Sequence, residues 1–185
     1  MIKDLLIPLI SVALAEVGDK TQLTLFCLSA KTKNHFTLFG GAMLAFFIVD
    51  GMAVLAGDFI ARLIPLIFIK TVSALLFLSF GVSFLMQKLE DQTTCSLKQP
   101  FWSGFSMIFF SEMGDKTQIA SIVFASNYQC LYVFAGVITG LGLISFLTIQ
   151  LGNTLYGKIN SKFLHKLSGV LFILLGISTF ISLLF

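Results

Sequence analysis

The stretch EVGDKTQ at residues 16–22 recurs as EMGDKTQ at residues 112–118, and each copy lies near the middle of a long apolar segment. Two carboxylates and one ammonium group therefore occur, in the same order, where a bilayer would surround them. A charge at the centre of a bilayer costs about 2.5–3.5 kcal/mol even on permissive scales. These two copies, called the first and second motif below, predict a polar site inside a membrane.

The composition of the whole chain agrees with a membrane location. Of its 185 residues, 57% are hydrophobic and 11% are charged, whereas soluble domains contain about 45–50% apolar and about 25% charged residues. We therefore predict an all-α membrane protein. The sequence contains no nucleotide-binding loop, no nucleophile elbow and no soluble domain, which argues against an enzyme and against a bound cofactor. The net charge of +3 comes from lysines in connections, so we expect no nucleic-acid partner.

Six apolar segments are each long enough to cross a bilayer, since a spanning helix needs about 20 residues. We predict six transmembrane helices, at residues 5–29, 37–61, 66–86, 101–126, 128–151 and 163–185. The polar linker at 87–100 separates a first three-helix repeat, 1–86, from a second, 101–185. Nothing in the sequence indicates an oligomeric state.

The two halves resemble each other beyond the motifs. Further pairs share an offset of ninety-five residues: Gly57 with Gly152, Asp58 with Asn153, Lys70 with His165, Ser73 with Ser168, and Gly81 with Gly176. A repeat with three spans enters the membrane from the opposite side in its second copy. The sequence thus predicts two inverted-topology repeats, as in many secondary transporters, with the site at their interface near the midplane.

The basic residues predict an orientation. Seven lysines follow spans one, three and five, whereas three basic residues lie on the other side. The first group comprises Lys31, Lys33, Lys88, Lys98, Lys158, Lys162 and Lys166, and the second comprises Lys3, Arg62 and Lys70. Because cytoplasmic loops carry the excess of basic residues, we expect a cytoplasmic linker and N- and C-termini on the opposite, non-cytoplasmic side.

On a continuous helix, Glu16 and Asp19 would share one face, separated by about 60°, with Gln22 one turn further along. Lys20 would flank Glu16 at about 40°. The same geometry would hold for the second motif, at Glu112, Asp115, Lys116 and Gln118. The glycines of the motifs, Gly18 and Gly114, would allow either close helix approach or local unwinding that frees backbone carbonyls.

If the two motifs face each other, they provide four carboxylates, two amide oxygens and nearby threonine hydroxyls. The predicted metal ligands are Glu16, Asp19, Gln22, Glu112, Asp115 and Gln118. An all-oxygen site suits Mg²⁺, Ca²⁺ or Mn²⁺ rather than Cu⁺ or Zn²⁺. Four carboxylates and two lysines sum to a charge of −2, which one divalent cation neutralises. When that cation leaves, the carboxylates should take up protons, and this competition is the basis of an exchanger.

Three further charged residues have open roles. Lys20 and Lys116 either tune the charge of the site or neutralise Asp19 and Asp115 until the cation binds. Asp50 lies near the middle of the second span, and its counterpart at the repeat offset is Ser145. An acidic residue inside a membrane segment suggests function, so Asp50 is a proton carrier, an accessory ligand or the partner of a motif lysine.

A Glu-x-Gly-Asp-(Lys/Arg)-(Thr/Ser) motif in each half of a six-span chain resembles the Ca²⁺:H⁺ antiporter-2 family, which includes Golgi manganese/calcium transporters and bacterial manganese exporters. The resemblance covers the full chain, and both motifs match the pattern. It implies that Glu16, Asp19, Glu112 and Asp115 bind the transported cation. It further implies an inner-membrane protein, similar to the bacterial manganese exporters, that exports Mn²⁺ in exchange for H⁺.

Alternative functions remain open from the sequence. A Ca²⁺/H⁺ antiporter would have the same architecture, and the resemblance covers both ions. A passive divalent cation channel could use the carboxylates as a selectivity ring. A protein without transport activity could use the motifs only as ion pairs between helices, although apolar packing would do this at a lower desolvation cost.

Overall fold

The computed structural model describes residues 1–86, 99–155 and 161–183, without the side chains of 151–155 and 161–165. All the regular secondary structure in these residues is helical. The elements are α1 (Ile2–Glu16), α2 (Lys20–Ala30), α3 (His35–Leu63), α4 (Leu66–Met86), α5 (Pro100–Glu112), α6 (Lys116–Asn127), α7 (Cys130–Leu155) and α8 (Ser161–Ile181). The all-α prediction is confirmed, and the predicted linker at 87–100 lies almost entirely outside the described residues.

Two of the six predicted helices are interrupted, each at its motif. Gly18 and Gly114 have φ angles of +81° and +84°, in the left-handed region that an α-helix excludes and that glycine tolerates best. The neighbours on both sides, Val17 and Asp19 in the first motif, are extended. The first span thus becomes α1 and α2, and the fourth becomes α5 and α6.

Three described helices are long and apolar enough to cross a membrane: His35–Leu63, Leu66–Met86 and the Cys130–Gln150 part of α7. A shorter apolar helical stretch covers Lys166–Ile181. Large apolar side chains on these helices remain exposed, among them Phe47, Phe59, Phe68 and Leu75. Exposed apolar surface on this scale is typical of a face that contacts lipid.

The helices pack in an exchanged arrangement, in which the interrupted helix of each half contacts the long helix of the other half. The interrupted pair α1 and α2 packs on α7, while α5 and α6 pack on α3. The long helices α3 and α7 also contact each other, and α4 packs against α8. Each interrupted helix therefore lies against the long helix of the other half.

Two glycines at the repeat offset allow close backbone contacts between these helices. A Cβ atom on Gly41 of α3 would lie 2.1 Å from the carbonyl oxygen of Phe101 on α5, and one on Gly136 of α7 would lie 2.4 Å from that of Leu5 on α1. Gly41 and Gly136 are ninety-five residues apart, and Leu5 and Phe101 are ninety-six apart. The repeat therefore includes these two backbone contacts. The sequence analysis did not identify them, although the spacing of Gly41 and Gly136 matches the repeat offset.

We expect Gly41→Ala and Gly136→Ala each to destabilise the protein by about 1–3 kcal/mol, because the backbones must move apart to admit the methyl group. The measurement is the apparent melting temperature of the detergent-purified protein. Gly142→Ala is the matched control, since its Cβ would meet only the flexible end of the Met43 side chain, at 3.3 Å. Equal melting temperatures for all three variants would contradict this packing.

Candidate cation site between the two motifs

Each interruption places its two acidic residues at opposed helix ends. Glu16 is the last residue of α1 and Asp19 directly precedes α2, whereas Glu112 ends α5 and Asp115 directly precedes α6. The Asp19 and Asp115 amides bond to the Glu16 and Glu112 carbonyls, both at 3.1 Å. The predicted shared face on a continuous helix is therefore wrong, and the alternative of local unwinding is confirmed. The N-termini of α2 and α6 carry positive partial charge, which favours the carboxylates of Asp19 and Asp115 that directly precede them.

The two motifs touch each other through reciprocal hydrogen bonds. Thr21 of the first motif donates its hydroxyl proton to Glu112 Oε1 at 2.5 Å. Thr117 of the second motif lies 3.4 Å from Glu16 Oε2 in the equivalent contact. Both glutamate side chains are completely buried. Each half therefore supplies a hydroxyl to the glutamate of the other half, as two halves of one site would.

The Thr117 hydroxyl also lies 3.2 Å from Asp115 Oδ2. A hydroxyl has one proton to donate, so Thr117 can donate to only one of these two carboxylates at a time. The other carboxylate then needs a proton of its own, or a cation, to make a favourable contact with this oxygen. The hydrogen bonds within the site therefore respond to its charge.

The site holds more negative charge than its hydrogen bonds satisfy. Glu16 lies within range of Coulomb repulsion from Glu112, Asp19, Asp115 and Asp50. Five buried polar side-chain atoms of the described residues have no hydrogen-bond partner: Glu16 Oε1, Gln22 Nε2, Asp50 Oδ2, Glu112 Oε2 and Ser145 Oγ. Buried polar groups are almost always satisfied. Unsatisfied carboxylate oxygens from both motifs are therefore the groups that a divalent cation or protons would neutralise.

The two glutamines of the motifs differ in position. Gln22 is buried, and its Oε1 accepts a hydrogen bond from Thr148 of α7. Gln118 is only partly buried, and its Oε1 accepts a bond from the Gly114 amide at 2.8 Å. The structure therefore places Gln22 inside the helix bundle and folds Gln118 back onto its own interruption, although their sequence positions are equivalent.

The two motif lysines also differ. Lys20 is exposed, whereas Lys116 is partly buried, with its Nζ 4.8 Å from the centre of the Phe84 ring on α4.

Asp50 of α3 is completely buried, and its Oδ1 lies 3.0 Å from the Ser121 hydroxyl of α6. The sequence left three roles open for Asp50: proton carrier, accessory ligand or partner of a motif lysine. Its described hydrogen bond is with Ser121 and not with a lysine.

Within residues 1–86, 99–150 and 166–183, whose side chains the structure describes, no three Asp, Glu, His or Cys side chains form a group that could hold a metal ion. The six-residue ligand set therefore stays a prediction. The structure also adds two residues that sequence reasoning missed, Ser121 and Thr148. Ser121 follows Thr117 by one helical turn, and Thr148 follows Ser145 by almost one turn, so their helical spacing was the available signal.

Comparison with known proteins identifies the family. The sequence model of the family described as divalent cation/proton antiporter GDT1 matches residues 4–92 and 100–184, which cover almost the entire chain. The chain belongs to the GDT1 family. It is therefore a multi-pass membrane protein of a divalent cation transporter family, in agreement with the resemblance that both motifs carry.

The GDT1 relatives include bacterial proteins of similar length. A protein of Vibrio cholerae named "Putative manganese exporter" is 29% identical over 178 residues, covering 95% of this chain and 89% of that protein. A GDT1-like protein of Synechocystis is 27% identical, covering 91% of this chain and 92% of its own length. GDT1-like protein 5 of rice is 37% identical over 82 residues, covering 44% of this chain and 35% of that protein. No solved structure gives a significant match.

Proposed function

We propose that this protein is a secondary transporter that exports Mn²⁺ across the inner membrane in exchange for H⁺. The observation that carries this proposal is the reciprocal contact of the two motifs, in which Thr21 donates to Glu112 and Thr117 contacts Glu16. It joins two buried carboxylates, one from each half, each with one unsatisfied oxygen. Membership of the GDT1 family and the Vibrio cholerae relative support the choice of ion and of exchange.

The proposed site uses both motifs as ligands for one cation. Glu16, Asp19, Gln22, Glu112, Asp115 and Gln118 provide the oxygens, which suit a hard divalent cation. In the present conformation Gln118 bonds to the Gly114 amide, so this residue would turn inward when the cation binds. Lys20 and Lys116 reduce the net negative charge of the empty site.

Export needs an energy source. Moving two charges out against a negative-inside potential of 100 mV costs about 4.6 kcal/mol, at roughly 2.3 kcal/mol per charge. Protons that replace the cation on the same carboxylates provide this coupling, since burial makes an unneutralised set of carboxylates unfavourable. Counter-movement of H⁺ therefore drives Mn²⁺ outward.

The proposed architecture has two inverted repeats, 1–86 and 101–185, with α1–α2 and α5–α6 crossing as interrupted helices. Interrupted helices near the midplane are a recurrent way to build ion sites in secondary transporters. The exchanged packing of α1 and α2 on α7, and of α5 and α6 on α3, supports this symmetry. The excess of lysines after spans one, three and five supports non-cytoplasmic termini.

The deciding experiment uses purified protein in liposomes that contain a Mn²⁺-sensitive dye. We expect an imposed pH gradient, acidic inside, to drive Mn²⁺ uptake, and a protonophore to abolish that uptake. Empty liposomes are the control. Mn²⁺ flux that ignores the pH gradient would indicate a passive channel, and an absence of flux would exclude transport of Mn²⁺.

The same liposomes test the choice of ion. With radiolabelled Mn²⁺ as the tracer in place of the dye, we expect excess Mg²⁺ and Ca²⁺ to reduce its uptake less than the same concentration of unlabelled Mn²⁺ does. The alternative, a Ca²⁺/H⁺ antiporter of the same architecture, predicts that Ca²⁺ is the strongest competitor of Mn²⁺ uptake. It also predicts that an imposed pH gradient drives Ca²⁺ uptake when no Mn²⁺ is present.

A further inference from the structure

Asp50 is the point at which the two halves of the site differ in charge. Its counterpart at the repeat offset is Ser145 of α7. Both side chains are completely buried, and each has one polar atom without a hydrogen-bond partner, Asp50 Oδ2 and Ser145 Oγ. Since α3 and α7 pack together, the first half brings a carboxyl group to the bundle where the second half brings a neutral hydroxyl.

The contacts of Ser121 suit a carboxyl group that gains and loses a proton. Ser121 Oγ lies 3.0 Å from Asp50 Oδ1 and 2.9 Å from the Thr117 carbonyl oxygen. The carbonyl can only accept, and the hydroxyl has one proton. When Asp50 is protonated, it donates to Ser121, and Ser121 donates to the carbonyl. When Asp50 is ionised, Ser121 turns its proton to the carboxylate, so both states are accommodated without moving a side chain.

The charged groups of α5 and α6 that act on Asp50 are acidic, whereas Lys116, the first residue of α6, has its Nζ 4.8 Å from the centre of the Phe84 ring on α4. Glu112 ends α5 and Asp115 precedes α6, and each is within electrostatic range of Asp50. Glu16, at the end of α1, is also within that range. An ionised Asp50 with a single hydrogen bond is therefore unfavourable unless a cation is bound nearby.

The other helices that pack on α3 bring few charges towards Asp50. The described titratable side chains of α7, Cys130 and Tyr132, lie at its start, where Cys130 interacts with Asp58 and Arg62. The charged residue of α2 is its first residue, the exposed Lys20. Asp50 is hydrogen-bonded to Ser121, which in turn contacts the Thr117 carbonyl of the second motif, and its described hydrogen bonds do not include the motif glutamates. This placement suits a proton carrier beside the cation site better than a cation ligand.

We propose that Asp50 carries one of the protons exchanged for the cation, with Ser121 as its hydrogen-bond partner. The inference rests on the proposed exchange at the motif carboxylates and adds a proton site outside them. When the cation binds, Asp50 releases its proton to water on the side to which the site is open. When the cation leaves, Asp50 takes up a proton, which neutralises the buried carboxyl group.

The test measures Mn²⁺ binding and proton release together. Detergent-purified protein is titrated with Mn²⁺ in weakly buffered solution containing a pH dye, while calorimetry reports the affinity. Asp50→Asn keeps the shape of the protonated side chain and can donate to Ser121. We expect it to retain Mn²⁺ binding but to release about one proton fewer per bound Mn²⁺ than the wild type. Asp58→Asn, the same substitution in the exposed ion pair with Arg62 on α3, is the control and should match the wild type.

The other possible outcomes distinguish a proton role of Asp50 from a ligand role, and both from a failure of the proposed exchange. Unchanged proton release by Asp50→Asn overturns the proton role, and loss of Mn²⁺ binding shows that Asp50 is a ligand instead. If Asp50→Asn does not fold, Asp50→Ser replaces it, because the second half carries serine at this position. A wild type that binds Mn²⁺ without releasing protons, and whose uptake ignores a pH gradient, refutes the proposed exchange itself.

Discussion

We expect Glu16→Gln and Glu112→Gln each to abolish proton-driven Mn²⁺ uptake in liposomes. Glutamine keeps the size of the side chain and an oxygen that can accept from threonine, but it removes the negative charge. Loss of groups that merely support metal ligands already lowers metal affinity about 10–100-fold, so loss of a charged ligand should lower it by at least about 100-fold. Calorimetry with Mn²⁺ measures the affinity directly.

The comparison of these two variants tests whether the motifs form one site. Since the Thr21–Glu112 and Thr117–Glu16 contacts are reciprocal, both substitutions should have effects of similar size. Asp58→Asn on α3 serves as the control for removing a carboxylate elsewhere. Full transport by either glutamine variant would contradict a shared site and would assign transport to the other motif alone.

The second large effect is expected at the interruption of the second motif. Gly114 has a φ angle of +84°, and no heavy atom lies within 4 Å of the position that a Cβ would occupy. A substitution here therefore strains the backbone without a steric clash. The left-handed conformation costs an L-residue roughly 1–2 kcal/mol, and more when the side chain is β-branched. We expect Gly114→Val to lower Mn²⁺ uptake at least about tenfold, because it favours a continuous helix and so removes the break that places Glu112 at the end of α5 and Asp115 before the start of α6.

Gly114→Asn is the matched variant, since asparagine adopts positive φ more readily than other residues with a side chain. We expect it to retain most of the uptake that Gly114→Val loses. If both variants lose uptake equally, the cause is the added side chain rather than the backbone conformation. Equal, undiminished uptake by both would show that the interruption is dispensable for transport.

The motif residues show both the reach and the limit of sequence reasoning. The acidic residues of the candidate site, the all-helical fold and the bounds of α4 follow from residue type, apolar run length and repetition. The orientation of Glu16 relative to Asp19 did not follow, because a helical wheel assumes unbroken helix. A single glycine with positive φ in each copy changes the direction of the chain, and the sequence only permits this conformation.

The contrast between Gln22 and Gln118 has a different cause. Their sequence contexts are nearly identical, so sequence reasoning treats them as equivalent. Their environments differ because Thr148 of α7 reaches Gln22, whereas Gln118 bonds to the Gly114 amide beside it. Neighbours from another helix decide this difference, and a local pattern contains no information about them.

The amino-acid sequence alone establishes that this chain places a duplicated acidic motif in apolar helices, since length, hydropathy and spacing are local properties. The tertiary structure alone decides that each glutamate meets a threonine of the other motif and that Asp50 meets Ser121. These contacts join residues 71 to 101 positions apart. They depend on the exchanged packing of α1 and α2 on α7 and of α5 and α6 on α3, which results from how all the helices fit together.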